Sequence, residues 1–429
     1  MRLMGLISLM MLWACSSGDE VAEGPAPVSG NEMPIELSAS AVRFREAEGD
    51  AVNRRSWTAP DGYLLYDDLY DGTSFVNDHS LSQSTIDVFL THGAGIDTPN
   101  PLHARLRYVS ATDNWKLMLP TGVVDENVKA GDYYAYGFVP REAASDAVLG
   151  KLDPGKSPDS YADGAVLTIN GLNTVGYDAC VMIGAREGFR TGTAGNYTYY
   201  DGGYTDSDED GSYDIGEPRT NRLKAGDFQL KLSKIGNPPT NYLFFLFDHL
   251  CSALIINMKV SGEYHALRHI RLKKIYLQTT TDDAPTKKLA NVTVTLQAND
   301  TGTNPIQSVE YSPTGDDASG NYVYTSTEGH WLDTDYSHTS LLTHFIPYQV
   351  TQLVVTCTYD IYDTDTSKNP DGNLIRQDCE ATNTIPLNLI DRFTNAERGK
   401  IYTLNMDVKP TYLYMMSDPD LDNPTVTVE

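Results

Sequence analysis

Asp132-Tyr133-Tyr134-Ala135-Tyr136-Gly137-Phe138-Val139-Pro140 is the stretch that decides the fold. From Tyr133 to Val139 the chain is aromatic, aliphatic or Gly, and it reads as a strand buried on both faces. Working outward, the same rhythm recurs in half-buried form. Val292, Val294 and Leu296 alternate with Thr293, Thr295 and Gln297, and Tyr402, Leu404, Met406 and Val408 alternate with Thr403, Asn405, Asp407 and Lys409. Gly, Pro, Asn and Asp clusters interrupt these runs at short intervals, as a β-sandwich requires. Helical spacing is scarce, with Ala143 to Leu152 and Asn388 to Glu397 the only short helix candidates. The expectation is an all-β chain of two tandem β-sandwich domains with a few short helices.

A chain of 429 residues suits two domains of ordinary size after a leader and tether. Few aliphatic residues occur from Thr191 to Gly226, where Gly, Tyr, Asp and Thr dominate. This places one sandwich at 34–190, an acidic loop or linker at 191–226, and a second sandwich at 227–429. The formal net charge is −26, which argues against nucleic acid and against adhesion to anionic lipid through surface charge. The same excess favours solubility outside the cell and binding of divalent cations. Tyr is abundant, at 27 residues, and suits pleated surfaces that are half wet and half dry.

At the N-terminus, Arg2 precedes an apolar run from Leu3 to Leu12, and Leu12-Trp13-Ala14-Cys15 closes it. A charged start, a short apolar region and small residues at the cut mark a secretory signal. Its end resembles the lipobox of bacterial lipoproteins, which implies removal of residues 1–14 and acylation of Cys15. At about 0.8 kcal/mol per buried CH₂, two or more acyl chains make a stable anchor. Ser16-Ser17-Gly18-Asp19-Glu20 is similar to the surface-export signal of Bacteroidetes lipoproteins, which implies the outer membrane and the cell surface. Residues 15–33 then read as an acylated, flexible tether.

Four segments resemble one family. Asp132 to Pro140 resembles the aromatic-rich strand in the first domain of Bacteroidetes fimbrillins, and Tyr177 to Ala185 resembles a later strand of that domain. Phe247-Asp248-His249-Leu250 through Met258 resembles an early strand of their second domain, and Gly399 to Leu404 the strand near their end. The resemblance implies a subunit of a type V pilus, or fimbria, with two transthyretin-like sandwiches, exported as a lipoprotein precursor. It further implies a removable N-terminal strand, a trypsin-like protease that cuts after Arg, and a donor strand from the C-terminal region of another subunit. The partners would be other fimbrial subunits or further copies of this chain.

The residues fit that scheme. Ile35, Leu37, Ala39 and Ala41 alternate within Pro34 to Val42, and Arg43, Arg45, Arg54 and Arg55 follow, with Arg55 and Arg54 the preferred cuts. Removing the strand would uncover unpaired backbone and apolar pockets, each large side chain being worth about 1.5–3 kcal/mol when buried. A neighbour's strand could restore both by β-augmentation. At the other end, Tyr412, Leu413, Tyr414, Met415 and Met416 are apolar on both faces and form the donor candidate. The competing readings are a permanent first strand and a last strand that pairs within its own domain. They belong to a monomeric surface lipoprotein that binds a glycan or host ligand through loops, with His330, Trp331 and Asp333 as a contact patch. No reactive constellation stands out, so no catalysis and no required cofactor are expected.

Asp206, Asp208, Asp210, Ser212, Asp214 and Glu217 follow the spacing D-x-D-x-D-G-x₅-E, which converges oxygen ligands on one Ca²⁺. Tyr197 to Tyr204 before it and Pro218 after it do not suit a helix–loop–helix. The reading is therefore a stiffened exposed loop, against a plain solvated acidic excursion. Cys357 and Cys379 flank the turn Asn369-Pro370-Asp371-Gly372, so a hairpin would bring them near one another, as a disulfide or as two free thiols. Cys180 and Cys251 sit in apolar surroundings and read as buried thiols.

Overall fold

A computed structural model of the chain describes residues 32–41, 45–46, 85–109, 114–129, 131–155, 161, 163–193, 196–200, 229–232, 241–297, 305–317, 320–336, 339–364, 367, 370–390 and 396–408. These residues form an all-β molecule of four sheets. The helical elements described are α1 (Gly262–His265), α2 (Leu387–Ile390) and 3-10 turns at Asp125–Asn127 and Arg141–Ala143.

The largest sheet has nine strands: β1 (Glu32–Ala41), β3 (Thr85–His92), β4 (Leu102–Val109), β5 (Asn114–Met118), β6 (Gly131–Val139), β9 (Cys180–Thr193), β10 (Asn196–Tyr200), β11 (Gln229–Leu232) and β12 (Asn241–His249). Its order is β10-β9-β12-β1-β5-β4-β3-β6-β11, and β6 also pairs with β9 at Phe138–Val181 and Val139–Cys180. That extra pairing closes seven strands, β9-β12-β1-β5-β4-β3-β6, into a ring. Closure leaves the ring strands without a free edge at that end, while β10 and β11 remain as the edge strands of the sheet.

Period-two alternation sorts the ring's side chains. Ile86, Val88, Leu90, Leu106, Tyr133, Ala135, Met182 and Phe247 fill its interior. Phe89, Tyr136, Phe138, Val181 and Ile183 face outward, yet they are buried too. A second sheet covers them, made of β7 (Asp146–Lys151), β8 (Gly164–Asn173), β16 (Leu289–Gln297) and β17 (Ile306–Thr314) in the order β17-β16-β8-β7. The two-sided burial expected of Tyr133 to Val139 is therefore met by a ring interior on one side and this sheet on the other. Gly137 has a further reason to be Gly, since a Cβ there would stand 2.0 Å from the Asp87 carbonyl oxygen on β3.

The remaining sheets make a sandwich. One is β19-β13-β22-β2, from β13 (Ser252–Val260), β19 (Ser340–Phe345), β22 (Lys400–Val408) and β2 (Arg45–Glu46). The other holds β14 (Arg268–Thr281), β15 (Ala284–Pro285), β18 (Gly320–Trp331), β20 (Gln352–Asp363) and β21 (Leu374–Pro386), with β14 at its centre. Leu254, Ile256 and Met258 of β13 meet Ile270, Leu272, Val355 and Tyr359 across this core, joined by Tyr402, Leu404, Met406 and Val408 of β22.

Four sequence expectations change. The division at 191–226 does not follow the cores, because β12 is a ring strand and β16 pairs with β8 along Leu289–Asn173 to Gln297–Gly164. Strands from the second half thus complete the first unit, where they cover the outward aromatic face of the ring. Residues 191–193 and 196–200 also belong to the large sheet, as the antiparallel pair β9–β10. The helix candidate at Ala143 to Leu152 is mostly strand β7, because Ala147 and Leu149 alternate into the core beneath exposed Asp146 and Val148. Lastly, the hairpin β20–β21 forms as expected, but Cys357 and Cys379 remain free thiols. Cys357 stands opposite Ala381 and Cys379 opposite Tyr359, so the two are diagonal rather than facing, a spacing of about 7–8 Å between Cα atoms that a disulfide bridges poorly.

Candidate functional site: the first-strand groove and the junction

β1 is central in its sheet, and its two neighbours share its length. Glu32 to Ile35 pair antiparallel with Met118 to Trp115 of β5. Glu36 to Ala41 then pair parallel with Tyr242 to Phe247 of β12. The handover falls between Ile35 and Glu36, one residue beyond Pro34, which has no N–H to donate. Met33 is buried in the ring interior, and Lys116 Nζ lies 2.5 Å from Glu32 Oε2. Four residues beyond Ala41 the chain reaches the other unit, where β2 pairs parallel with β22 at Arg45–Lys400 and Glu46–Ile401. Among the described residues β2 is the only strand on that edge of β22.

This arrangement places the sequence candidates unevenly. The proposed removable strand is β1, and Arg45 lies in β2. Cys15, Arg43, Arg54, Arg55, the acidic positions from Asp206 to Glu217 and the donor candidate Tyr412 to Met416 lie outside the described residues. In the sandwich, Trp331 packs edge-on against Tyr362 at 5.0 Å and His269 at 6.3 Å between ring centroids. The Arg271 guanidinium lies 4.8 Å from the Tyr362 ring and 5.5 Å from that of Trp331. His330 instead meets Thr339 Oγ1 at 2.9 Å, and Asp333 accepts from the Thr334 N–H. The aromatic companions of Trp331 are thus supplied by β14 and β20, not by its sequence neighbours.

A polar cluster joins the two units. Cys180 opens β9 and pairs in register with His249, which ends β12. Asp178 lies two residues before Cys180, and its carboxylate oxygens are 3.1 and 3.2 Å from His249 Nδ1. Cys180 Sγ is 3.1 Å from the same nitrogen and 3.6 Å from Asp178 Oδ2. From the sandwich, β19 contributes His344, whose Nε2 is 4.0 Å from Asp178 Oδ2. Burial works against the charge of Asp178, but the neighbouring His249 and His344 and the hydrogen bonds from His249 and Cys180 outweigh it, holding the carboxyl down to about 2. Burial draws the His344 imidazole below its ordinary range, against the pull of Asp178. Burial also pushes the Cys251 thiol up, with the Asp178 charge adding to it.

Backbone bonds stitch the same region. Gly176 N–H donates to His344 O at 2.8 Å, Ile346 N–H to Thr174 O at 2.8 Å, and Gly399 N–H to Cys251 O at 2.8 Å. Arg398 bonds Asp248 Oδ2 at 2.9 Å and His249 O at 3.1 Å. Sequence reading treated Cys180 as a small hydrophobe and passed over Asp178 and His344. An Asp-x-Cys before one strand and a His at the end of another are weak signals until register sets them side by side.

No protein-family model and no curated protein matches the chain. Solved structures do resemble it at low identity. A Bacteroides fragilis chain named as a candidate cell adhesion protein is 10% identical, with a TM-score of 0.35 over 88% of this chain and 94% of that one. A fimbrial protein of Bacteroides vulgatus is 12% identical, with a TM-score of 0.27 over 87% and 95%. The fimbrial anchor protein Mfa2 of Porphyromonas gingivalis is 9% identical, with a TM-score of 0.20 over 80% and 81%.

Proposed function

We propose that this chain is a fimbrillin-like subunit of a cell-surface pilus that acts in adhesion, by strand exchange rather than by catalysis. Cys15 would carry the lipid that holds the precursor at the outer membrane. The observation that carries the reading is the position of β1. This N-terminal strand supplies the pairing between β5 and β12, and every covalent link to the rest of the fold runs through residues 42–84. One cut after Arg54 or Arg55 leaves β1, still joined to β2, held only by the backbone pairing of both strands and by side chains such as Met33. A neighbour's strand that copies the pairing would lose nothing in hydrogen bonds, so exchange is close to neutral before side chains are counted.

The four fimbrillin-like segments support the same reading by where they meet. β6 pairs with the start of β9, and the start of β9 with the end of β12. β13 pairs parallel with β22, from Ala253–Ile401 onward. Segments that are far apart in sequence are thus neighbours at the two places where the units close. For processing, Arg45 is engaged with β22 and must peel away before a protease can bind it as an extended chain, which favours Arg54 and Arg55.

Limited trypsin treatment of residues 16–429, followed by intact-mass analysis and native gels, tests the proposal. The expected result is a cut at Arg54 or Arg55, release of β1 and a ladder of oligomers. Deletion of residues 411–429 should leave a folded monomer and abolish the ladder. A resistant N-terminus with a lasting monomer would instead support the ligand-binding lipoprotein. In cells, Cys15→Ala should move the chain from the membrane to the soluble fraction, and unchanged partition would remove the anchor.

A further inference from the structure

We infer that Asp178, Cys180 and His249 form a divalent-metal site, chemically best matched to zinc, with His344 closing its fourth side. The donors come from three places: the approach to β9, the first residue of β9 and the last residue of β12. Their atoms Oδ2, Sγ and Nδ1 lie 3.1, 3.1 and 3.6 Å from one another. Around a tetrahedral ion with bonds of about 2.0–2.3 Å, donors stand roughly 3.3–3.8 Å apart, so one ion fits with shifts of a few tenths of an ångström. His344 Nε2 stands 4.0 Å from Asp178 Oδ2 but outside the close group that the other three donors form, so it must move toward them to complete the shell.

The donor types choose the metal. Thiolate with imidazole and one carboxylate suits a borderline ion such as Zn²⁺, whereas Ca²⁺ and Mg²⁺ ask for oxygen shells. The charges also balance. One carboxylate and one thiolate neutralise the dication, and two neutral imidazoles add nothing, so the buried site carries no net charge. On binding, the Cys180 S–H bond breaks and its proton leaves to solvent. Any hydrogen on His249 Nδ1 leaves likewise, with Nε2 carrying the one hydrogen of the neutral ring, and the sulfur and Nδ1 lone pairs form the metal bonds. Local crowding points the same way. His249 Nδ1 bears at most one hydrogen, yet it meets both Asp178 oxygens and the Cys180 sulfur within 3.2 Å. Because His344 belongs to β19, the ion would tie the ring to the sandwich at the place where their backbones already meet.

The test uses residues 16–429, stripped with chelator, dialysed and reloaded with Zn²⁺ or Co²⁺. The expected result is one ion per chain by elemental analysis, with a thiolate-to-cobalt absorption band. Cys180→Ala should abolish the band, and His249→Gln should weaken binding by about tenfold or more. Cys251→Ala, a buried thiol outside the site, should keep both ion and band. Near-UV circular dichroism checks that each variant is folded. Absence of the band in the parent chain would overturn the inference, whether zinc fails to bind or binds elsewhere. Its loss in Cys251→Ala but not in Cys180→Ala would overturn it equally. Neither outcome touches the strand-exchange reading, which the trypsin ladder tests separately.

Discussion

At Gly137 the absence of a side chain is a packing requirement. β3 and β6 approach so closely that the Asp87 carbonyl occupies the space of a Cβ, and this contact is backbone, which cannot swing aside. Gly137→Ala must therefore push the strands apart at the centre of the ring. The expected loss is about 1–3 kcal/mol, the usual cost of overpacking, read from the urea midpoint at constant m-value. An unchanged midpoint would mean that the strands have slack there. The side chain of that same Asp87, on β3, is fully buried and gathers His103 at 2.9 Å and, more distantly, Arg141 and Arg105. The opening heptad reads as purely apolar in sequence, but its partner strand carries this buried charge.

Among the elements, β1 combines an interior position in its sheet with pairing divided between two neighbours. It is two half-strands in pairing terms, first with β5 and then with β12, so loosening either half exposes an edge of the ring. Met33 is its described anchor in the interior, and truncation there should remove about 2–5 kcal/mol, the range for large-to-small changes in a core. The proposal makes that loss visible in kinetics. After trypsin, Met33→Ala should release the β1 fragment faster than the parent does, as read by mass spectrometry of a native complex over time. Equal release rates would mean that backbone pairing alone holds the strand. β22 is the contrasting case, with alternating buried Tyr402, Leu404, Met406 and Val408 and a long parallel pairing with β13. The same alternation in sequence thus serves a strand built into the sandwich in one place and, under the proposal, an exchangeable strand in the other.

For the whole molecule, the two units are interleaved rather than strung in series. β12 completes the ring from beyond the 191–226 segment, and the β16–β17 hairpin leaves the second half to cover the aromatic face of the first. A chain ending at residue 240 lacks both, leaving Phe89, Tyr136, Phe138 and Ile183 partly uncovered and β1 without its second partner. Such a fragment should show no cooperative urea transition and should bind a hydrophobic dye, whereas the full chain should unfold in a sharp transition. A cooperative transition in the fragment would show that the ring closes without β12.

Residue order alone made the class of fold legible, and with it strands such as β6, β16 and β22. Period-two alternation and the doubly apolar run at Tyr133 to Val139 are local consequences of the pleat, which needs no partner to be legible. It also pointed to the strand that becomes β1 and to the turn that joins β20 to β21. The tertiary structure decided what pairs with what. The same β pattern is compatible with many strand orders, so nothing local could put β16 beside β8 or set Cys357 diagonal to Cys379. The Asp178–Cys180–His249–His344 cluster belongs to this second kind. Its members are spread over 167 positions of chain and meet only because backbone register fixes β9 against β12 and lays β19 beside their ends.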